Sequence, residues 1–488
     1  MVARRQQWSL SRREFLGGVA LGIGGPLLAG CAASPSTPTP APASPATTAP
    51  TAQTASQSSQ PTATPAAQAA PQGSGAATKL SFWRHQYDPT DQVYKNTIFP
   101  AAAKDLGVTF DYQVQRGDDY STKMLPQIAS GGGGPDIFEA GEDFRYKFSN
   151  AGVFAPLDYT PWGGEAAWQS FWAPGIVDAL KVNGKDYVVP LEWTAFPENY
   201  FVRQDDAKAA GIPDSDFSKY QQTAITWDAL PEWAAKMTVK DAQGRVTRDG
   251  FMIQHGYGAG RTYEFFNEHY RELGGQPLST DGKTSTLNND QAIAVLQYLS
   301  DLVFKSGASM LRPQSNESGS GVLPKNGTAS TIGLGFWAYP TFQSLDPTNW
   351  QTVRCLLTPQ VHPDKPLYLT GPGNSYGVNS HSSHVALGFK VLHYFAAHFG
   401  SQLFDGGITA PVKDWTSKYP GVKKLPDADV WVKLANDASV LVAPPAELLS
   451  ETVRQQGFQR AFESVMFNKV SVKDAIAQWN KDVQDSLS

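Results

Sequence analysis

Charged residues follow two predicted strands at positions where α/β proteins commonly bind ligands. Arg84 and His85 come directly after a first strand, and Glu142 and Asp143 come shortly after a third. In open sheets of this kind, ligands bind beyond the carboxyl ends of the strands. A guanidinium, an imidazole and carboxylates at that edge can donate hydrogen bonds to a polar solute or accept them from it. Their order along the chain therefore predicts a polar binding site.

Large aromatic rings are the second group with a chemical use. Trp337 lies in a glycine-rich stretch with Gly333 and Gly335, where a backbone can approach a ligand closely. Trp193 follows shortly after Pro190. Sugars present flat C–H faces that rings cover and hydroxyl groups that polar side chains bind. Packing in the core is the alternative role for each of these rings.

Catalytic and metal-binding motifs are missing from the sequence. The neighbouring acids Glu142 and Asp143 could form a glycosidase pair, but adjacent residues rarely point at one bond. Gly131 to Gly134 lack the lysine of a phosphate-binding loop, and no Gly-x-Ser-x-Gly turn occurs. His381 and His384 have no neighbouring cysteine or acid, which indicates a surface position. We expect a binding protein without a metal or cofactor, and not an enzyme.

Length, charge and cysteine content limit the class of protein further. With 488 residues, the chain exceeds the usual size of one hydrophobic core, so we expect two lobes. The formal net charge of −5 gives no general attraction for nucleic acid. Cys31 and Cys355 are the only cysteines, which excludes a disulfide-built scaffold. We expect Cys355 to be a small buried apolar residue.

The first 31 residues have the pattern of an export signal. Arg12 and Arg13 lie in a segment that resembles the twin-arginine motif, and an apolar stretch from Phe15 to Leu28 follows. The stretch before Cys31 resembles a bacterial lipobox, so we expect Cys31 to carry a lipid. Residues 32–78 are almost wholly Ala, Pro, Ser, Thr and Gln, a composition typical of a disordered tether. The folded part would then work beside the outer face of the membrane.

Alternating strands and helices open the globular part. The hydrophobic pattern predicts strands at 79–83, 108–114 and 135–138, with helices at 91–106 and 120–130 between them. This order is typical of an α/β sheet with parallel strands. Further along, the pattern predicts a helix start at 226–232, a strongly amphipathic helix at 288–304 and a strand at 377–379.

Seven short segments, in order, resemble the family 1 extracellular solute-binding proteins, the group that includes maltose-binding protein. The likeness covers essentially all of residues 79–488 and rests on Phe82-Trp83, on Tyr120 to Ser130 with Gly134-Pro135-Asp136-Ile137, on the hairpin from Val182 to Pro190, on Asn199 to Asp205, on Trp227 to Leu230, on Gly274-Gly275, and on Asn326 to Ala329 leading to Phe336-Trp337. Val188, Val202, Arg203 and Ala229 depart from the family's usual residues.

The resemblance implies an α/β fold of the periplasmic-binding-protein type, with two lobes, hinge crossovers and a central ligand cleft. By likeness, the first lobe comprises 79–189 and 357–398, and the second comprises 190–356 and 399–488. Crossovers are expected near Val189-Pro190, 357–359 and 397–400. The implied mechanism is closure of the lobes around a ligand, followed by docking on a permease.

The resemblance also implies which residues line the cleft. The expected ligand-binding side chains are Trp83, Arg84, Glu142, Asp143, Glu192, Trp193, Tyr257, Arg261, Trp337, Tyr339, Asn374 and Tyr376. We expect a mono- or oligosaccharide as ligand, the membrane subunits of an ABC importer as partners, and a monomeric, lipid-anchored extracytoplasmic protein. The alternatives left open are a polyamine, a peptide or a metal complex as the solute, and a polysaccharide-acting enzyme.

Overall fold

The chain divides into two compact units, Met1–Pro71 and Gln72–Ser488. The computed structural model describes residues 77–116, 119–120, 125–129, 133–192, 199–254, 259–311, 323, 327–364, 368–369, 374–436, 441–442 and 452–487, all of them in the second unit. The predicted signal peptide, Cys31 and nearly all of the predicted tether lie outside these residues. Within the described part, no helix combines the length and the apolar character needed to cross a membrane.

The described residues form strands and helices along the whole second unit. The strands are β1 (Thr78–His85), β2 (Val108–Gln115), β3 (Ile137–Ala140), β4 (Val188–Glu192), β5 (Asn199–Arg203), β6 (Val239–Lys240), β7 (Val246–Arg248), β8 (Thr331–Leu334), β9 (Val353–Leu356), β10 (Tyr368–Leu369), β11 (Asn374–Val378) and β12 (Leu441–Val442). The α-helices are α1 (Asp88–Val93), α2 (Phe99–Leu106), α3 (Leu125–Ala129), α4 (Glu142–Asn150), α5 (Glu165–Phe171), α6 (Ile176–Leu180), α7 (Gln204–Ala209), α8 (Asp214–Tyr220), α9 (Leu230–Ala235), α10 (Ala259–Glu272), α11 (Asp290–Phe304), α12 (Ala338–Leu345), α13 (Val385–Asp405), α14 (Trp415–Lys418), α15 (Ala428–Asn436), α16 (Gly457–Met466) and α17 (Val472–Ser486).

The first sheet has five strands in the order β2-β1-β3-β11-β4. β1 pairs in parallel with β2 and β3, as the alternating strand and helix pattern predicts. β11 is antiparallel to both β3 and β4, so the complete sheet is mixed. Along β1, Leu80, Phe82 and Arg84 are buried on one face, and the residues between them are partly exposed. The period-two pattern of a half-covered strand explains this alternation.

The second sheet is smaller and wholly antiparallel, with the order β8-β5-β9. Its central strand β5 contributes alternate residues to two hydrophobic clusters. Phe201 belongs to the larger cluster, which also covers the first sheet, whereas Tyr200 and Val202 belong to a second cluster with α10, α11, α16 and α17. Two sheets with their own helical layers give the two-lobed α/β architecture that the sequence predicts. We call the lobe around the first sheet the first lobe and that around the second sheet the second lobe.

Several predicted elements are found with shifted ends. The amphipathic helix expected at 288–304 is α11, and the Asn289 side chain caps it by accepting a hydrogen bond from the Ala292 amide at 2.9 Å. The helix start expected at 226–232 falls at Leu230, where α9 begins. Cys355 is fully buried and unpaired by any disulfide, as expected.

The lobe boundaries stay a prediction. β4 belongs to the first sheet as far as Glu192, and β5 belongs to the second sheet from Asn199 onward. Leu357 and Gln360 still hydrogen-bond to the second lobe, through the carbonyls of Tyr220 and Ile225. The crossover expected near 397–400 lies inside the continuous helix α13.

Candidate functional site

The candidate site lies at the carboxyl ends of β1, β3 and β4 in the first sheet, and we call this end of the sheet the edge. Arg84 and His85 close β1, Glu139 is the penultimate residue of β3, and Glu192 is the last residue of β4. Register places Asn374, the first residue of the antiparallel β11, directly opposite Glu192. Side chains that are far apart in sequence therefore meet at this edge.

Arg84 is the centre of a buried network. Its Nη1 donates to Asp91 Oδ1 at 2.5 Å, its Nη2 donates to Glu192 Oε1 at 2.6 Å, and its Nε donates to the Tyr376 hydroxyl at 3.0 Å. That hydroxyl donates in turn to Glu192 Oε1 at 2.6 Å. None of these side chains is more than 3 % exposed. Each charge is thus paired inside the protein, which is the condition for burying it at tolerable cost.

The charges in the network shift one another's pKa. Burial opposes the charged form of Arg84, but Glu192 and the other neighbouring acidic groups together outweigh it and raise the pKa of Arg84 well above the ordinary value. Burial likewise opposes ionisation of Glu192, but Arg84, His85 and the hydrogen bond from Tyr376 together outweigh it and hold the pKa of Glu192 below the ordinary value. Burial raises the pKa of the Tyr376 hydroxyl, which therefore stays a neutral donor. Arg84 and Glu192 are both ionised at neutral pH.

His85 and Glu139 form a second pair beside this network. His85 Nδ1 lies 2.6 Å from Glu139 Oε1 and 2.8 Å from Oε2, and the His85 amide donates to Oε2 at 3.3 Å. Burial lowers the pKa of His85, but the charge and hydrogen bond of Glu139, with the charge of Glu192, together outweigh burial and hold that pKa above the ordinary value. Burial, with the Glu192 charge, raises the pKa of Glu139. The His85 side chain is 26 % exposed, so it is the network's most accessible member.

Three of these residues present metal-ligand atoms to one another. One ligand atom each from His85, Glu139 and Glu192 lies within 4.8 Å of the other two. An imidazole nitrogen with two carboxylate oxygens is a donor set that suits divalent transition metals. No other such group occurs among the described residues.

The second lobe reaches this edge through Trp337, which follows β8 and lies directly before α12. The hydroxyl of Tyr87, two residues after β1 ends, donates to the Trp337 carbonyl, and the two rings meet edge to face with centroids 6.4 Å apart. Gly407, with φ at +93°, lies against both residues, and a Cβ there would lie 3.0 Å from the Tyr87 ring. The half-buried Trp337 thus stands beside the charged edge of the first lobe.

A small pocket lies within the second lobe, between the second sheet and α10. Its volume is about 20 Å³, which is room for about one water molecule. Gln254, Thr262 and Glu268 are among its polar lining residues, with Tyr200 and Phe251 among the apolar ones. By itself this pocket is too small to hold a sugar.

The structure places the sequence-predicted site residues in four groups. Arg84, Glu192 and Tyr376 meet in the buried network, and Asn374 lies beside Gly141 at the same edge, where a Cβ on Gly141 would be 2.9 Å from Asn374 Oδ1. Trp337 and the half-buried Trp83 present partly accessible rings. Tyr339 is buried, with its hydroxyl donating to the Pro426 carbonyl at 2.9 Å. The following lie outside the described residues: Trp193 and Tyr257 entirely, and Glu142, Asp143 and Arg261 in their side chains.

The structure brings four more residues to this edge, namely His85, Tyr87, Asp91 and Glu139. His85 was predicted there from its position after the first strand, although it was not among the expected cleft side chains. Glu139 had a usable signal, since an acid in the apolar strand Ile137–Ala140 is costly to bury without a partner. Asp91 and Tyr87 had none, because Asp91 meets Arg84 of β1 and Tyr112 of β2 only in the folded lobe, and Tyr87 meets Trp337, which is 250 residues away.

Comparison with known proteins agrees with this architecture. The sequence model of the bacterial extracellular solute-binding protein family matches residues 89–398. No curated protein sequence matches significantly. Among solved structures, a solute-binding protein from Thermotoga lettingae bound with α-D-tagatose has a TM-score of 0.65 at 17 % identity, and the alignment covers 84 % of this chain and 100 % of that one.

Two further solved structures are similar. An ABC substrate-binding protein from Listeria monocytogenes, in complex with cycloalternan, has a TM-score of 0.67 at 16 % identity, covering 84 % of this chain and 99 % of that one. The sugar-binding protein MalE from Xanthomonas citri has a TM-score of 0.65 at 16 % identity, covering 84 % and 97 %. These likenesses confirm the two-lobed periplasmic-binding-protein-like fold, and the family match over most of the folded part means that the chain belongs to the bacterial extracellular solute-binding proteins.

Proposed function

We propose that this protein is the extracytoplasmic substrate-binding component of an ABC importer, which captures a carbohydrate between its lobes by hinge closure and delivers it to a permease. The observation that carries the proposal is the meeting of two unlike walls. The first lobe offers the partly exposed His85 above the buried charges of Arg84, Glu139 and Glu192, and the second lobe places the ring of Trp337 against Tyr87, two residues beyond His85.

This combination suits a sugar for a physical reason. A ring such as Trp337 covers the C–H face of a pyranose, while His85 and Asn374 offer hydrogen-bonding groups to its hydroxyls. The ligands of the similar structures, α-D-tagatose and cycloalternan, are carbohydrates, which supports the same ligand class here. A ligand favours closure only through contacts that are better in the closed state, so groups from both lobes are needed.

A cationic solute is the second candidate, and one observation favours it. Asp91, Glu139 and Glu192 place three carboxylates around the single guanidinium of Arg84. An ammonium group of a polyamine would be attracted to this excess of negative charge. A peptide and a polysaccharide-acting enzyme are weaker alternatives, because no feature of the site favours them over a sugar. A metal complex is favoured only by the ligand atoms of His85, Glu139 and Glu192.

Lipidation at Cys31 after twin-arginine export, with residues 32–78 as the tether, completes the proposal. A lipid at one end would keep the binding protein close to its permease on the outer face of the membrane. Binding as a monomer is expected, since one chain supplies both walls of the site.

The deciding experiment is a thermal-shift screen of the purified protein against mono- and oligosaccharides, with spermidine and putrescine included. A ligand at 100 times its Kd adds about 2.7 kcal/mol to the free energy of unfolding, so it raises Tm measurably. Stabilisation by a sugar supports the proposal, and analysis of the same incubations by chromatography should reveal no product. Stabilisation by polyamines and by no sugar would reject carbohydrate in favour of the second candidate.

Trp337→Ala tests the ring directly. It removes the indole but keeps the backbone carbonyl that accepts from Tyr87. Calorimetric titration with the best sugar should then show a loss of affinity of about fivefold or more, as expected for a stacking ring worth about 1 kcal/mol or more. Trp227→Ala is the matched control, because that half-buried indole stacks on Tyr298 with centroids 4.1 Å apart, within the second lobe. Equal affinity in Trp337→Ala and the wild type would remove this ring from the site.

A further inference from the structure

The charged edge of the first lobe holds more negative than positive charge. Three acids, Asp91, Glu139 and Glu192, are each at most 3 % exposed in their side chains, and the buried cation Arg84 contacts all three. Buried carboxylates need compensation from cations or protons. His85, at Glu139, is the only other basic side chain that the described structure places in ion-pair range of these acids. The edge is therefore a place where a small cation would be held.

The geometry of Glu192 gives an independent observation. Its Oε1 accepts hydrogen bonds from both Arg84 and Tyr376. Its Oε2 accepts none from any described residue and lies 4.0 Å from His85 Nδ1. A side chain that is 1 % exposed thus directs one unused acceptor at the imidazole. An ionised carboxylate oxygen without a hydrogen bond keeps its lone pairs available to a metal ion.

The other two donors lie around the same gap. His85 Nδ1 is 2.6 Å from Glu139 Oε1 and 4.0 Å from Glu192 Oε2, and the three donor atoms lie within 4.8 Å of one another. In a tetrahedral site with bonds of about 2.0–2.2 Å, ligand atoms stand about 3.4 Å apart. The observed separations of 2.6 and 4.0 Å lie on either side of this value. Small side-chain rotations of His85 and Glu139 would therefore let the three atoms bind one ion.

We propose that His85 Nδ1, Glu139 and Glu192 Oε2 bind a divalent transition-metal ion, with Zn²⁺ as the probe. Three protein ligands leave a fourth position open, and the partial exposure of His85 directs it toward solvent, where water or an oxygen of a solute binds. Arg84 and Tyr376 hold Glu192 through Oε1 and so orient its free oxygen, which is the usual role of groups behind metal ligands. This site goes beyond carbohydrate capture, and metal binding is measured without any sugar.

Calorimetric titration of chelator-treated, dialysed protein with zinc chloride tests the proposal. We expect one zinc ion per chain and a higher Tm in its presence. His85→Asn and Glu139→Gln keep hydrogen-bonding groups in place but remove metal ligands, so each should weaken binding more than about tenfold. His381→Ala is the matched control, because His381 is exposed and lies beyond the other end of β11, and it should bind zinc like the wild type.

Several outcomes would overturn the site. The proposal fails if the wild type binds no zinc, or if both His85→Asn and Glu139→Gln bind zinc as well as the wild type. His85 and Glu139 would then form an ion pair and no metal site. Should a variant fail to fold, zinc-edge X-ray absorption of the wild type decides. One imidazole nitrogen among oxygen ligands supports the site, and two or more imidazoles or a sulfur ligand reject it. The sugar screen on the same metal-free protein shows separately whether carbohydrate binding stands.

Discussion

Replacing Arg84 by Met tests whether the site edge depends on a buried cation. Methionine fills a similar volume without a charge, so Asp91 and Glu192 lose their shared counter-ion. Removing one partner of a buried ion pair costs about 3–5 kcal/mol. The cost is smaller than the sum over the separate contacts of Arg84, because Asp91 and Glu192 each keep another hydrogen bond. Tyr112 still donates to Asp91 at 2.5 Å, and Tyr376 still donates to Glu192 at 2.6 Å.

Urea unfolding followed by tryptophan fluorescence measures the change, with the free energy extrapolated to water. Arg84→Met should lose about 3–5 kcal/mol of unfolding free energy. Adding Glu192→Gln removes one uncompensated charge, so the double variant should recover about 1–3 kcal/mol of that loss. Arg245→Met is the matched control. Arg245 pairs with Asp241 in an exposed hairpin and is 77 % exposed, so its removal should leave stability unchanged within error.

Two results would refute this reasoning. A loss below about 1 kcal/mol in Arg84→Met would mean that water reaches the carboxylates and solvates them as well as the guanidinium does. A double variant no more stable than the single one would mean that the loss comes from packing around the side-chain stem and not from the unpaired charge on Glu192.

The remaining predictions concern Asp136, a half-buried acid directly before β3, and the membrane anchor. Asp136 accepts hydrogen bonds from the Ser81 amide and hydroxyl, both at 2.8 Å, and from Ser382. Burial raises the pKa of Asp136, but these bonds outweigh it and hold that pKa below the ordinary value. Its stabilising effect is therefore present above about pH 4 and is lost as pH falls through the lower folded-state pKa. Asp136→Asn should be less stable than the wild type by about 1–2 kcal/mol at pH 7 in urea unfolding, and a difference that persists undiminished at pH 2 would contradict this. Cys31→Ser should move the protein from the membrane fraction to the soluble extracytoplasmic fraction, and unchanged fractionation would reject the lipid anchor.

Local patterns were enough to predict the strands β1, β2 and β3 of the first sheet. The alternation in Val108–Gln115 and the apolar run at Ile137 each identify a strand from neighbouring residues alone. The Asn289 cap of α11 likewise depends only on adjacent residues. These features depend on interactions within a few residues, so the sequence reveals them without knowledge of the fold.

The insertion of β11 could not be predicted in the same way. This strand pairs antiparallel between β3 and β4, although it follows β4 by more than 180 residues in the chain. The sequence predicted a strand only at 377–379, whereas β11 is Asn374–Val378, and these residues carry no information about direction or neighbours. Strand order is decided by packing across the whole lobe, which no local window contains.

The composition of the site edge was hidden for the same reason. Arg84 was a natural candidate for an exposed ligand-binding group, because arginine is rarely buried without a partner. Its partners lie 7, 108 and 292 residues away, at Asp91, Glu192 and Tyr376. Only the assembled sheet brings them together. Family likeness pointed to two of these residues, but it gave no sign that they bind each other.

This network explains how the first lobe can offer a site that is ordered before any solute arrives. Arg84 joins β1 to α1 through Asp91, to β4 through Glu192 and to β11 through Tyr376, so four elements are fixed around one side chain. Tyr87 extends the chain of contacts to the other lobe, because its amide donates to Asp91 and its hydroxyl donates to Trp337. Closure against an edge already held in place costs less conformational entropy than ordering loose side chains around a ligand. At the proposed site, rigidity of the buried charges would contribute to affinity even though they are shielded from solvent, so Arg84→Met should weaken binding of the solute as well as the fold.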